Sequence, residues 1–374
     1  MAMKKIRIKI CNSDLTNKFS FGSFFLGILK KYYEVELSEN PEYVIYNESD
    51  FEYLKYNCIR ILITGENITP NFNLCDYGMG FDYLTFGDRF YRIPLYLLAQ
   101  YYTDAEIKLA DSFLDSSKPR QLKDAQGWEL NGPDFTRQKL FTKADLAKKT
   151  GFCSFVYSNY LADPERDEMF NKLSTYKRVD AGGACLNNVG GRVKSKLAFE
   201  SSHKFSIAFE NSSRSGYVTE RLVNAMVAGT IPIYWGSPDV DKEFNQNRFI
   251  NCHAYKNFDE VVARIKEIDQ NDELYLQIIN EPIAAPGVDF QAIRDGFEKF
   301  LQHIFDQPVK DAKRRTINAA RAAVMEANEV LAAKRATRKN FFRKLLAFFY
   351  KPFRRSIVIE RLKQKILSKQ IQKK

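Results

Sequence analysis

The stretch from Phe205 to Gly236 limits the fold of this chain more than any other. Phe205–Phe209 is apolar and strand-like, Thr219–Gly229 has helical spacing, and Thr230-Ile231-Pro232-Ile233-Tyr234-Trp235 is strand-like again. Two strands with a helix between them form a βαβ unit, which requires a parallel sheet covered by helices. Thr219 can cap the helix start and Gly229 can close its end. The helix N-terminus then lies at the carboxyl ends of the strands, where α/β sheets bind ligands.

The rest of the chain has the same alternation. Ile6, Ile8 and Ile10 alternate with polar residues, and Phe21–Tyr33 is an apolar helical stretch. Strands are expected at Glu34–Leu37, Tyr43–Tyr46 and Arg60–Thr64, the last running into Gly65-Glu66-Asn67. A second strand set opens at Phe152–Val156. Residues 101–150 are polar with weak periodicity and read as a loop region and connection. A length of 374 residues exceeds one comfortable core. The expected organisation is an N-terminal α/β domain over 1–150, a second over 151–333, and a tail over 334–374. Asp311–Lys344 is helical by composition.

The overall charge of +11 is unevenly placed. Residues 334–374 hold 15 Lys or Arg and one acid, Glu360, a net +14, so the preceding 333 residues carry −3. That balance describes a mildly acidic body with a basic tail, and it argues against a nucleic-acid binder. No run of 18 apolar residues offers a membrane span. No export signal is expected at the N-terminus, so the six cysteines, which form no CxxC pair, read as reduced thiols. The three histidines are too scattered to suggest zinc.

A helix N-terminus suits a phosphate, and Arg221 would add a full cation. Glu220 beside it would instead accept hydrogen bonds from a sugar or base. On spacing alone, the commoner explanation of this pair is a solvated first turn.

Three blocks change that balance: Phe209-Glu210-Asn211-Ser212, Gly216-Tyr217-Val218-Thr219-Glu220-Arg221-Leu222 and Gly229-Thr230-Ile231-Pro232-Ile233-Tyr234-Trp235-Gly236. Together they resemble the signature of the α1,3/1,4-fucosyltransferases, glycosyltransferase family 10, especially the bacterial members that make Lewis antigens. The likeness extends to Thr64-Gly65-Glu66-Asn67, Pro70–Asn73, Asp76-Tyr77, Gly80–Asp82, Phe155–Asn159 and Gly182-Gly183. It covers roughly Ile8 to Phe258 and is weak in the middle.

The resemblance implies a GT-B fold: two Rossmann-like domains facing a cleft, the first receiving the acceptor and the second binding GDP-fucose. It implies an inverting transferase that moves L-fucose to the GlcNAc or glucose of a Galβ1,4GlcNAc or lactose-type acceptor, giving a Lewis x-type product. Such a reaction needs a carboxylate base opposite the leaving group and donors that meet the departing GDP. The resemblance assigns Glu66 as the base. It assigns Arg166, Asn211, Tyr217, Glu220 and Arg221 to the donor, with Arg178 or Arg192 as substitutes for Arg166. Arg221 departs from the family pattern, which usually has lysine there; Tyr217 could equally pack beneath the loop. Acceptor-binding residues are unknown. Asp239-Val240-Asp241 spells a DxD, but a turn is the better explanation. No metal site and no required cofactor are expected, though Mn²⁺ or Mg²⁺ could stimulate.

In the tail, Phe341-Phe342, Leu345-Leu346, Phe348-Phe349 and Phe353 interleave with Arg343, Lys344, Lys351, Arg354 and Arg355. That pattern suits an amphipathic helix on anionic lipid, broken at Pro352. The expected location is therefore the cytoplasmic, inner face of a membrane, as a peripheral protein. The rivals are α1,4- or mixed-linkage transfer, a GT-B transferase using another nucleotide sugar, and a membrane-peripheral glycan-binding protein without turnover.

Overall fold

The computed structural model describes residues 3–11, 13, 15, 21–48, 51–98, 112–115, 117, 138–316 and 320–350. The chain forms two parallel sheets. The first holds β1 (Lys4–Ile10), β2 (Tyr33–Leu37), β3 (Tyr43–Tyr46), β4 (Ile59–Ile63), β5 (Tyr77–Gly80) and β6 (Phe90–Arg92), in the order β2-β1-β3-β4-β5-β6. The second holds β7 (Gly151–Phe155), β8 (Val179–Ala181), β9 (His203–Phe209), β10 (Ile231–Trp235) and β11 (Ile250–Asn251), in the order β11-β10-β9-β7-β8. Its central strands carry near-continuous apolar runs, as expected where helices cover both faces.

The helices are α1 (Phe21–Tyr32), α2 (Glu165–Ser174), α3 (Lys196–Ser201), α4 (Glu220–Val227), α5 (Phe258–Asp269), α6 (Asp272–Ile279), α7 (Phe290–Asp306) and α8 (Ala320–Tyr350), with single helical turns at Leu95–Leu98 and Lys143–Leu146. The βαβ unit read from the sequence is β9–α4–β10, with Ile231 opposite Phe205 and Trp235 opposite Phe209. The strands β5, β6 and β8 are only three or four residues long, too short for alternation to show in the sequence. The helix expected from Asp311 starts at Ala320. Residues 311–316 instead form turns, whose Arg314 and Arg315 amides donate to the buried Asp76 carboxylate at 2.9 and 2.8 Å.

Among the described residues, α4 and α7 both pack between the halves. Leu222, Val223, Ala225 and Met226 of α4 share one apolar core with the first sheet. α7 follows the second sheet in sequence but packs on the first. Phe305 lies 4.6 Å from the Tyr43 ring, and the Lys4 ammonium donates to the Phe305 carbonyl at 2.7 Å. The Tyr91 hydroxyl donates to the Ile293 carbonyl at 2.6 Å. Five of the six cysteines are buried. No described helix is long and apolar enough to cross a membrane. The expected tail overlaps α8 as far as Tyr350; Pro352 and the rest lie outside the described residues.

Gly296 marks how close α7 comes to β6. A Cβ there would sit 2.2 Å from the Tyr91 hydroxyl oxygen. Alanine favours a helix by roughly 1 kcal/mol, yet Gly296→Ala is expected to lower unfolding free energy by about 1–3 kcal/mol through overpacking. Urea denaturation of both proteins measures this.

Candidate active site

Strand order reverses between β7 and β9, so the crevice of the second sheet opens at their carboxyl ends. Tyr157 leaves β7 there. Its hydroxyl donates to the Ile207 carbonyl at 2.8 Å and accepts from the Phe209 amide at 2.7 Å, which fixes the ring. Two guanidinium groups lie over that ring, Arg166 at 4.6 Å and Arg221 at 5.9 Å from its centroid. Arg166 is 3% exposed and donates to the Asn159 carbonyl at 2.7 Å, and its Asp167 neighbour is 3.8 Å from Nε. Its Nε and Nη1 are buried without a hydrogen-bond acceptor. Such orphaned donors cost free energy unless an anion or water meets them.

Glu210 leaves β9 beside Tyr157 and is fully buried. Its carboxylate accepts from the Thr219 amide at 2.7 Å, from the Thr219 hydroxyl at 2.7 Å and from Arg221 Nη1 at 2.6 Å. Thr219 therefore caps α4 by conformation alone, because its hydroxyl serves Glu210 and not the helix. Burial favours a neutral Glu210, but three donors favour the anion, and the ion pair supports the charged form. Burial also opposes charge on Arg221, yet Glu210 and Glu220 together hold its pKa above the ordinary value. Burial likewise opposes charge on Glu220, which Arg221 and Lys196 nonetheless keep below its usual range. Arg221 also donates to Asn211 Oδ1 at 3.3 Å, and the Asp163 amide donates to the Asn211 carbonyl at 2.8 Å. The loop before α2 is thus tied to the loop before α4.

The Asp239 of the DxD holds that second loop. It accepts from the Ser215 hydroxyl at 2.6 Å, the Ser237 hydroxyl at 2.5 Å, the Gly216 amide at 3.1 Å and Lys242 at 2.9 Å. Gly216 has φ +79°, and a Cβ on it would lie 2.3 Å from the Phe81 carbonyl oxygen. Only glycine fits this close approach. Tyr217 follows, 1% exposed, with its ring 4.8 Å from Phe81 in an edge-to-face pair.

Glu66 faces this group from the first sheet. It is exposed on the turn after β4, and its amide donates to the Thr64 hydroxyl at 3.2 Å. The Gly65 amide donates to the Glu48 carboxylate at 3.2 Å. Burial first, and the Glu66 charge further, push the Glu48 carboxyl upward. The charge of Glu66 also acts on the Tyr217 phenol, which sets the turn against the loop before α4.

The structure thus gathers Arg166, Asn211, Glu220 and Arg221 around Tyr157 and Glu210, with Glu66 across from them. It buries Tyr217 against Phe81. Arg178 pairs with Asp180 at the opposite end of β8, at 2.7 Å, and Arg192 is exposed on the loop before α3. Sequence reasoning assigned no role to Tyr157, Glu210 or Arg214. Tyr157 has partners 50 or more residues away and Arg214 pairs with Asp82 more than 130 away, so no local spacing pointed to these two. Glu210 lies only 9 and 11 residues from Thr219 and Arg221, inside the motif, and that spacing could have suggested it.

Removing Glu210 would leave the part-buried Arg221 without its carboxylate partner. Glu210→Ala is expected to cost about 3–5 kcal/mol of stability, and more than Glu210→Gln, which keeps acceptor and donor atoms. Chemical denaturation of both variants checks the order.

Residues 12–99 match the model of the alpha-(1,3)-fucosyltransferase FucT N-terminal domain. Residues 146–280 match that of the glycosyltransferase family 10 (fucosyltransferase) C-terminal region. The chain is 39% identical over 269 residues to the alpha-(1,3)-fucosyltransferase FucT of Helicobacter pylori, covering 68% of this chain and 55% of that one. It is 31% identical over 309 residues to the putative fucosyltransferase R654 of Acanthamoeba polyphaga mimivirus, covering 75% and 45%. The chain therefore spans about half the length of these curated relatives. A crystal structure of an alpha1,3-fucosyltransferase with GDP-fucose superposes with a TM-score of 0.59 at 32% identity, over 81% of this chain and 92% of that one. The two parallel-sheet domains form the GT-B arrangement of those structures. With both halves matched and one solved relative covered almost entirely, the chain belongs to the fucosyltransferases of glycosyltransferase family 10.

Proposed function

We propose that this chain transfers L-fucose from GDP-fucose, with inversion, to the 3-hydroxyl of GlcNAc or glucose in a Galβ1,4GlcNAc or lactose-type acceptor. The observation that carries this reading is Arg166, a buried guanidinium whose Nε and Nη1 make no hydrogen bond, beside Arg221 and the start of α4. An anionic diphosphate is the ligand class that satisfies such donors. The solved relative that superposes on this chain was crystallised with GDP-fucose.

Each group has a task. Glu66, exposed on its turn, removes the proton from the attacking acceptor hydroxyl. Its negative charge also stabilises the positive charge that develops on the sugar. Arg166 and Arg221 meet the charge that builds up on the leaving diphosphate. Glu220, held ionised by Arg221 and Lys196, accepts hydrogen bonds from donor hydroxyls. Glu210 keeps Arg221 in place. Arginine in place of the usual lysine brings a planar fork, and one Nη1 of that fork serves Glu210. Transfer needs no metal in this reading, because cations of the chain meet the diphosphate and Asp239 is engaged by four donors.

The basic segment 334–374 makes a peripheral contact with the anionic inner face of a membrane. The aromatic and cationic interleaving supports this. Full-length protein should sediment with phosphatidylserine vesicles at low salt, and protein ending at residue 333 should not; equal sedimentation of the two sinks the assignment.

The main test is GDP release from GDP-fucose with N-acetyllactosamine in EDTA. Glu66→Gln should lower kcat by about 10²–10⁴-fold with GDP affinity unchanged. Arg166→Ala should weaken GDP binding about 10- to 100-fold. Glu66→Gln with full turnover would remove Glu66 as the base, and a wild type that binds no GDP would overturn the donor assignment.

A further inference from the structure

The loop between β9 and α4 touches the first domain at several points, and Arg214 is their centre. Its Nη1 donates to Asn67 Oδ1 at 3.3 Å and its Nη2 to the Thr69 hydroxyl at 2.5 Å. Nη2 also pairs with Asp82, whose side chain is 14% exposed. All three partners belong to the first domain, on the turn after β4 and the segment after β5. Two neighbouring contacts run the other way. Asn67 Nδ2 donates to the Ser212 hydroxyl at 2.5 Å, and Arg92 donates to the Gly216 carbonyl at 3.1 Å. Arg92 also pairs with Glu243 of the second domain at 2.6 Å, so this end of the joint carries a second tie between the domains.

Asn67 is the residue after Glu66. Its side-chain amide is engaged by the loop through both ends, with its nitrogen donating to Ser212 and its oxygen accepting from Arg214. The turn that carries Glu66 therefore takes its position from the second domain as well as from its own sheet.

We propose that Arg214 is an interdomain clasp: by holding Asn67, Thr69 and Asp82 together, it positions the Glu66 turn against the loop that leads into α4. Arg214 acts as a positioning residue and touches no reacting atom. The fork geometry matters, since one planar guanidinium holds its donors in fixed directions toward three acceptors on two segments, whereas a lysine ammonium is a compact point charge on a flexible stem. The consequence for turnover rests on the fucosyl-transfer reading above, but the clasp itself does not. A base displaced by about 1 Å loses rate on the order of 10²-fold.

The experiment combines amide hydrogen exchange over residues 61–72 with steady-state kinetics, for wild type, Arg214→Ala, Arg214→Lys and Asp82→Asn in the full chain. Exchange at Gly65–Ile68 should rise several-fold in Arg214→Ala, while α7 stays as protected as in wild type. kcat should fall about 10- to 100-fold, with GDP affinity within threefold of wild type. Arg214→Lys should lie between. Asp82→Asn, nearly isosteric and approached from the other domain, should move exchange in the same direction and serves if Arg214→Ala does not fold. Combining Asp82→Asn with Arg214→Ala should cost little beyond Arg214→Ala alone. Unchanged exchange over 64–69 in both Arg214→Ala and Asp82→Asn overturns the clasp. A fall in kcat matched by an equal loss of GDP binding or of α7 protection overturns the positioning role. Raised exchange in a protein whose wild type transfers no fucose leaves the clasp standing and removes the proposed function instead.

Discussion

The ion pair of Glu210 with Arg221 is the contact on which the rest of the second domain's site depends. Glu210 is fully buried at the end of β9 and gathers Thr219 and Arg221 at the start of α4. A charged pair at that depth loses much of its hydration and contributes little net stability. What it contributes is geometry. It sets where α4 begins, turns Arg221 toward Tyr157, and leaves Glu220 beside it as an ionised acceptor. Apolar residues of equal volume could fill the same space and would point no cation at the crevice.

The site is built from pieces that make sense only in pairs. Tyr157 presents one ring to two arginines, and its hydroxyl bridges β7 to β9. Carboxylates take different tasks from their surroundings: Glu210 is buried and paired, Glu66 stands exposed on a pinned turn, and Asp239 is used up in holding Ser215 and Gly216. The loop from Ser212 to Tyr217 joins these parts. Its glycine lets the backbone approach the Phe81 carbonyl, and its neighbours reach across to Asn67, Thr69 and Asp82. The same loop faces the ligand edge of the second sheet and meets the first domain.

Much of the fold was legible along the chain because its signals are local. Alternation at Ile6, Ile8 and Ile10 and the apolar run at Phe205–Phe209 report burial on a sheet, whatever else surrounds them. The strands β5 and β8 were not legible. Tyr77-Gly78-Met79-Gly80 and Val179-Asp180-Ala181 are short and are built by their neighbours. The turns at 311–316 look helical in composition, but the buried Asp76 carboxylate claims two of their amides, and tertiary bonding outweighs a propensity of a few tenths of a kcal/mol per residue. The sequence context of the DxD suggested a turn, whereas the bonds of Asp239 to Ser215 and Gly216 could not be seen there.

By itself, the sequence determined the α/β class, the β9–α4–β10 unit, the family resemblance and the placement of Glu66, Glu220 and Arg221 at strand and helix ends. Those properties follow from side-chain periodicity and from a long contiguous motif. The tertiary structure decided which cations share Tyr157, that Tyr217 packs inward, that α7 returns to the first sheet, and that Arg214 reaches the Glu66 turn. Each of these is a contact between residues far apart in the chain. Such contacts are set by how two sheets and their helices fill space, and no local spacing encodes them.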